Sequence, residues 1–239
     1  MVELHNIDCL EYMKSLPDKM FDAVITDPPY GIKRDKGFGG FGGFGKPIAR
    51  KQYQGEWDNV RPTAEHFSEI LRVSKIAVIF GGNFFADILP VGNHWIVWDK
   101  LNTMPTFGDV ELAWTNVKRN SVKKFTCQYN GLLGKEEKRF HATQKPLKLM
   151  KWCVEQYTKP GETVFDPYAG SGTTGVACVE LDREFSGCEI DGVYYPKATR
   201  RINEASLQCQ MFPAASSANK HLQPDQNRAE QISFFWRLK

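Results

Sequence analysis

Residues 165–175 read FDPYAGSGTTG, and the run on either side of them decides the fold. Upstream, Glu162 to Phe165 predicts a short strand that ends at Asp166. Downstream, Gly170-Ser171-Gly172-Thr173-Thr174-Gly175 turns directly into a helical pattern reaching Leu181. A strand, a glycine turn and a helix in that order form a nucleotide-type cradle. The glycines allow tight curvature and close backbone approach, and the helix start presents free amide groups. A further strand, Glu184 to Cys188, ends at Glu189, where an acid can accept hydrogen bonds from ribose hydroxyls.

Taken alone, that turn also fits a nicotinamide oxidoreductase. Asp166 separates the two readings. A carboxylate at the mouth of the loop repels a pyrophosphate but attracts the amino group and sulfonium of S-adenosylmethionine, whose adenosine needs the same ribose-binding acid.

Working outward to the N-terminus, Val2 to Ile7 predicts a strand, Asp8 to Ser15 a helix, and Phe21 to Thr26 a second strand that runs into Asp27-Pro28-Pro29-Tyr30. Two prolines fix φ and donate no ladder hydrogen bond, so the chain leaves the sheet there, at the strand edge where open α/β sheets bind ligands. The tetrapeptide suits chemistry at an exocyclic amine. Such an amine is conjugated with its ring and stays a poor nucleophile until acceptors draw its protons out of the ring plane. Asp27 is one acceptor, the Pro28 carbonyl a second, with Pro29 stiffening the turn, and Tyr30 offers a face for a flat base.

Between the two motifs the pattern predicts helices from Pro62 to Val73, Asn83 to Leu89 and Pro146 to Tyr157. It predicts strands over Lys75 to Phe80, His94 to Trp98 and Val110 to Thr115, followed by a loop-rich basic insert. A last amphipathic helix from Val193 to Ala205 carries Lys197, Arg200 and Arg201 on its polar side. Residues 206–230 lack any period, so residues 206–239 read as a low-complexity tail ending in apolar Phe234 to Trp236.

Composition bounds the rest. With 41% hydrophobic and 25% charged residues, the 239-residue chain is a globular protein rather than a disordered or collagenous one, and its length fits one α/β domain. No stretch reaches the ~20 apolar residues of a membrane helix, and Met1 to Lys14 does not read as a secretory signal, so a cytoplasmic location is expected. Cysteines and histidines show no metal-ligand spacing, so no metal is expected. The net charge of +3 hides an asymmetry: residues 31–61 hold seven basic against three acidic residues, and residues 117–151 hold ten against two. Two basic segments on an acidic body suit a polyanion.

In their order along the chain, DPPY at 27–30, HATQKP at 141–146, FDPYAGSGTTG at 165–175 and CEID at 188–191 resemble the S-adenosylmethionine-dependent DNA amino-methyltransferases of the permuted class, in which the catalytic tetrapeptide precedes the cofactor loop. The resemblance covers about residues 1–205. It implies a Rossmann-like class I methyltransferase fold, α/β, with a seven-stranded, mostly parallel sheet, helices on both faces, and Asp27 and Asp166 on neighbouring strands. By the same likeness Asp27, Pro28, Pro29 and Tyr30 hold the target base. Asp166, Gly170 and Gly172 cradle the methionine part, Ala169, Ser171 and Thr173 are further cofactor-binding positions, and Glu189 binds the ribose. His141 and Lys145 resemble contacts to the cofactor carboxylate, with a locally bonded loop histidine as the other reading of His141. Asp8 resembles the acid that receives the cofactor's adenine amino group, although Ile7 stands where the family has glycine; Asp8 also reads as a helix cap.

The function implied is methyl transfer from S-adenosylmethionine to the exocyclic amine of adenine in double-stranded DNA, with the target base flipped out, in a bacterial or phage-infected cell and in a restriction-modification setting. Cytosine as the target, or a catalytically silent DNA-binding protein of the same fold, are the alternatives. Inserts at about 31–61 and 115–140 are the candidate DNA contacts, with Lys118, Arg119, Lys123 and Lys124 meeting phosphates. The apolar end of the tail leaves a homodimer open.

Overall fold

The computed structural model describes residues 1–32, 60–101, 108–128 and 144–211. The glycine–phenylalanine run at 37–45, His141 and residues 212–239 lie outside them. The chain divides into two compact units, Met1–Ser206 and Leu207–Lys239, and the first holds every element that forms the site.

Strands β1 (Val2–His5), β2 (Phe21–Thr26), β3 (Ser74–Phe80), β4 (Trp95–Asp99), β5 (Val110–Thr115), β6 (Val122–Thr126), β7 (Thr163–Asp166) and β8 (Glu184–Cys188) form one sheet in the order β1-β8-β7-β2-β3-β5-β4-β6. Among the described residues only the β3–β5 and β5–β4 pairs are antiparallel. The helices are α1 (Cys9–Lys14), α2 (Ala64–Val73), α3 (Leu147–Tyr157), α4 (Thr173–Glu180) and α5 (Tyr194–Met211). Gly82–Phe85, overlapping the start of the Asn83 to Leu89 stretch expected to be a short helix, is a 3-10 turn.

Local chemistry sets the boundaries. Asp8 is extended and its Oδ1 accepts from the amides of Leu10 and Glu11, so α1 starts at Cys9. Helix α2 buries Phe67, Ile70 and Val73, which recur every third residue and so share one face. In the central strands successive side chains enter opposite cores. Ala23, Ile25, Val78, Phe80 and Val164 pack with residues of α3, α4 and α5, such as Leu149, Val154, Ala177 and Ile202. Val24, Ala77, Ile79 and Phe165 pack with Met13 of α1 and with Phe67 and Ile70 of α2. Helices therefore cover both faces, as expected of the class.

Where seven strands are expected, the described residues form eight. The extra one, β6, lies in the segment expected to be loop, and it pairs parallel to β4 with Lys123 opposite Ile96 and Lys124 opposite Val97. Val122, Lys123, Lys124 and Thr126 are all exposed. Lysine on an outermost strand leaves no buried alternation for sequence reasoning to detect, and it also blunts an edge that would otherwise pair with another chain. Among the described residues no helix is long and apolar enough to cross a membrane.

Candidate active site

Strands β1, β8, β7, β2 and β3 run parallel, so their carboxyl ends share one edge of the sheet. That edge gathers Asp8 after β1, Glu189 after β8, the glycine turn after β7, Asp27 to Tyr30 after β2, and Gly81 after β3. Strands β2 and β7 are neighbours, and Thr26 Oγ1 donates to Asp166 Oδ1 at 2.7 Å, so the two motifs meet at a direct hydrogen bond.

On the β2 side, Tyr30 OH donates to Asp27 Oδ1 at 2.6 Å and Lys145 Nζ donates to Asp27 Oδ2 at 2.6 Å. Lys145 Nζ is also 3.4 Å from Tyr30 OH and 3.1 Å from Glu111 Oε2. Lys100 Nζ reaches the other Glu111 oxygen at 2.5 Å. Side-chain exposure is only 19% for Asp27, 8% for Lys145, 16% for Glu111 and 14% for Lys100, so these charges meet where water screens them little. Burial pushes the Asp27 carboxyl above its ordinary value, with the Glu111 charge adding and Lys145 opposing. Burial would also lift Glu111, but the charges of Lys145 and Lys100 outweigh it and hold Glu111 down at about 2. Burial disfavours the Lys145 charge, yet Asp27 and Glu111 together raise its value.

The Tyr30 ring is seated from behind. Phe84 stacks on it at 4.7 Å between centroids, and a Cβ on Gly81, whose φ is +68°, would lie 2.2 Å from Tyr30 Cε1. Only glycine adopts that backbone freely while leaving room for the ring. Pro28 is buried and Pro29 half-buried beside it.

On the β7 side, Asp166 is 3% exposed; Oδ1 accepts from Thr26 Oγ1 and the Tyr168 amide, and Oδ2 from Thr174 Oγ1 at 2.6 Å. Burial lifts Asp166 to about 6 against these bonds. Gly170 and Gly172 have φ of +53° and +74°. A Cβ on Gly172 would crowd Ala198 and Ile202 of α5, whereas one on Gly170 meets nothing nearer than 3.9 Å, so the turn packs inward at Gly172 and is open at Gly170. The Ala169 amide donates to the Cys188 carbonyl, and Ser171 and Thr173 join hydroxyl to hydroxyl. The Arg201 guanidinium donates to the Ser171 carbonyl and Thr173 Oγ1, tying α5 to the turn. Glu189 accepts from the amides of Gly170 and Asp191, each at 2.8 Å, and burial lifts it to about 7.

Those of the expected residues that are described therefore gather at one edge. The Lys145 ammonium lies against Asp27, Tyr30 and Glu111. His141 lies outside the described residues. Sequence reasoning missed Glu111, Lys100, Gly81, Phe84 and Arg201. A signal for the first two exists only as charge inside strand-like stretches, Glu111 within β5 and Lys100 just after β4.

The cradle fits a cationic ligand. Two carboxylates flank an open backbone turn, and among the described residues no basic side chain forms an ion pair with either. The fold is similar to that of class I methyltransferases solved with S-adenosylmethionine. A family model described as DNA methylase, of the N6/N4 type, matches residues 90–200. The Type II methyltransferase M.HinfI of Haemophilus influenzae is 26% identical over 254 residues, covering 82% of this chain and 67% of that protein. Two solved structures share the fold. The M1.HpyAVI–S-adenosylmethionine complex has a TM-score of 0.55 at 24% identity, over 85% of this chain and 100% of that one. The PvuII cytosine-N4-specific DNA methyltransferase has a TM-score of 0.56 at 16% identity, over 86% and 91%. Together these matches make the chain similar to DNA amino-methyltransferases of the N6/N4 type.

Proposed function

We propose that this protein methylates the exocyclic N6 amine of adenine in double-stranded DNA, in the bacterial cytoplasm, as the modification partner of a restriction system. The observation that carries the amine chemistry is the aimed Asp27 carboxylate, held between Tyr30 and Lys145 at the strand end beside the glycine turn. Bound S-adenosylmethionine supplies a methyl on a positively charged sulfur, so that transfer leaves a neutral thioether.

The protein's own residues prepare the acceptor. Asp27 and the Pro28 carbonyl accept the two amine hydrogens, which turns the nitrogen lone pair toward the methyl. Asp27, as a carboxylate, takes the proton that the nitrogen sheds once its new bond to carbon forms, and the raised Asp27 value favours that uptake. Tyr30 stacks on the flipped base; stacking of ~1–3 kcal/mol is comparable with the few kcal/mol that flipping costs. The cradle side holds the cofactor: the open Gly170 backbone meets its methionine part, and Glu189 its ribose.

Attack at a ring carbon instead requires a thiolate. Burial lifts the Cys9 thiol to about 11, and Cys153, Cys178 and Cys188 are buried and higher still. A second reading, the N4 amine of cytosine, is favoured by the likeness to the PvuII enzyme. Digestion of methylated DNA to nucleosides, followed by mass spectrometry, tests the choice. N6-methyladenine is expected; N4-methylcytosine alone overturns the adenine reading, and no methylated base overturns the enzyme reading.

A further inference from the structure

Asp27, Lys145, Glu111 and Lys100 alternate in sign along one buried row, and the mechanism above employs only the first. Each oxygen of the carboxylate that must receive the target amine already has one donor, Oδ1 from Tyr30 and Oδ2 from Lys145. A carboxylate oxygen can accept a second bond, as Asp166 Oδ1 does, so what the Lys145 ammonium decides is how much of the Asp27 charge meets the amine. Glu111 offers the landing place. Its Oε2 is buried and 3.1 Å from Lys145 Nζ, yet no hydrogen bond reaches it, while Oε1 is anchored by Lys100. An ammonium carries three donors on a rotor, so a turn toward Glu111 satisfies that orphaned acceptor. The row contains two acids and two bases, so the turn moves a hydrogen bond without creating an unpaired charge.

We propose that Glu111 is a positioning residue for methyl transfer: when the target base enters, it takes the Lys145 ammonium from Asp27 and so leaves more of the Asp27 charge to the amine. The proposal deepens the function given above and rests on it. Lys100 fixes Glu111 in place, and the Phe80 and Tyr30 rings, 5.4 and 5.7 Å from Nζ, flank the ammonium.

Glu111→Gln keeps the shape and one acceptor but removes the charge. The groups facing Asp27 are Lys145 from the segment before α3, Tyr30 from its own loop, Glu111 from β5 and Asp166 from β7. Without the Glu111 charge, Lys145 stays on Asp27, and Asp27 ionises at lower pH. The expected result is a kcat about 10- to 100-fold lower, with KM for DNA and cofactor affinity nearly unchanged, and an acid limb of the kcat–pH profile moved to lower pH. Glu111→Asp should recover most of the loss. A Glu111→Gln protein with the parent kcat and pH profile, or one whose defect lies in cofactor affinity, overturns the proposal. If thermal melting shows that this variant does not fold, Lys100→Met serves instead: it removes the anchor, and an unchanged kcat overturns the proposal equally. A parent protein that methylates no DNA defeats the functional reading and this proposal with it. An active parent matched by Glu111→Gln defeats this proposal alone.

Discussion

The two sides of the site hold their carboxylates in opposite ways. Around the glycine turn, Asp166 and Glu189 accept only from hydroxyls and backbone amides, and burial lifts them to about 6 and about 7. Across the β2–β7 boundary, Asp27 and Glu111 face ammonium groups, and Glu111 is held at about 2. Neutral donors fix an acid in place and leave its charge available to a cationic ligand. Ammonium partners offset much of the charge, so what the acid offers a ligand depends on where the partner sits.

The largest break in this contrast is removal of Asp27. Asp27→Ala should lower turnover by ~10²–10⁴ while cofactor affinity holds, since the cradle side is intact. It should also cost about 3 kcal/mol of stability, because Lys145 keeps only Glu111 as an anionic partner. Parent-like methylation of DNA by this variant would sink the mechanism. Next comes the seat of Tyr30. Gly81→Ala places a methyl against the ring and should cost about 2–3 kcal/mol in denaturant melts, with a fall in turnover. Gly161→Ala is the control: φ is +83° with no atom within 4 Å, so about 1 kcal/mol of backbone strain is the whole effect. Equal losses in the two would show that the Tyr30 contact contributes nothing.

The cradle side should instead reveal itself through pH. Asp166 and Glu189 bind a proton more tightly folded than unfolded, so their burial lowers stability progressively as pH climbs from about 4 to about 7. Binding of a cationic cofactor should run the other way and tighten about tenfold between pH 6 and pH 8 as Glu189 ionises. Calorimetric titration checks this, and Glu189→Gln should flatten the profile; a slope that survives the substitution assigns it to another group. The smallest effect belongs to the basic surface. Neutralising Lys118, Arg119, Lys123 and Lys124 should reduce the salt slope of DNA binding by about 0.9 for each phosphate that a cation no longer meets. Lys124 already pairs with Asp99 at 2.7 Å and should contribute least.

Much of this was legible in the sequence wherever local rules suffice. Pro28 and Pro29 stop β2 at Thr26, the glycines turn β7 into α4, and Glu189 follows β8, so the strand-end placement of three acids follows from spacing. Residues that meet across the fold left no such mark. Glu111 sits in a strand whose other positions, apart from the terminal Thr115, are apolar, and its lysine partner is a loop residue 34 positions on. Lys145 lies in a motif that likeness assigns to the cofactor, while the fold brings its ammonium to Asp27. Strand β6 reads as loop because exposed lysines carry no alternation.

The order of strands has a consequence for how the protein is made. Strands β8 and β7 lie between β1 and β2, with Val2 opposite Phe185 and Ala23 opposite Val164. A ribosome therefore releases the outer pair of this foursome first and the inner pair last. At ordinary elongation rates the delay is on the order of 10 s. Until then β1 has no neighbour on the sheet and one edge of β2 stands open, so this edge closes only after β7 and β8 have been made, through pairings of long sequence separation that form slowly.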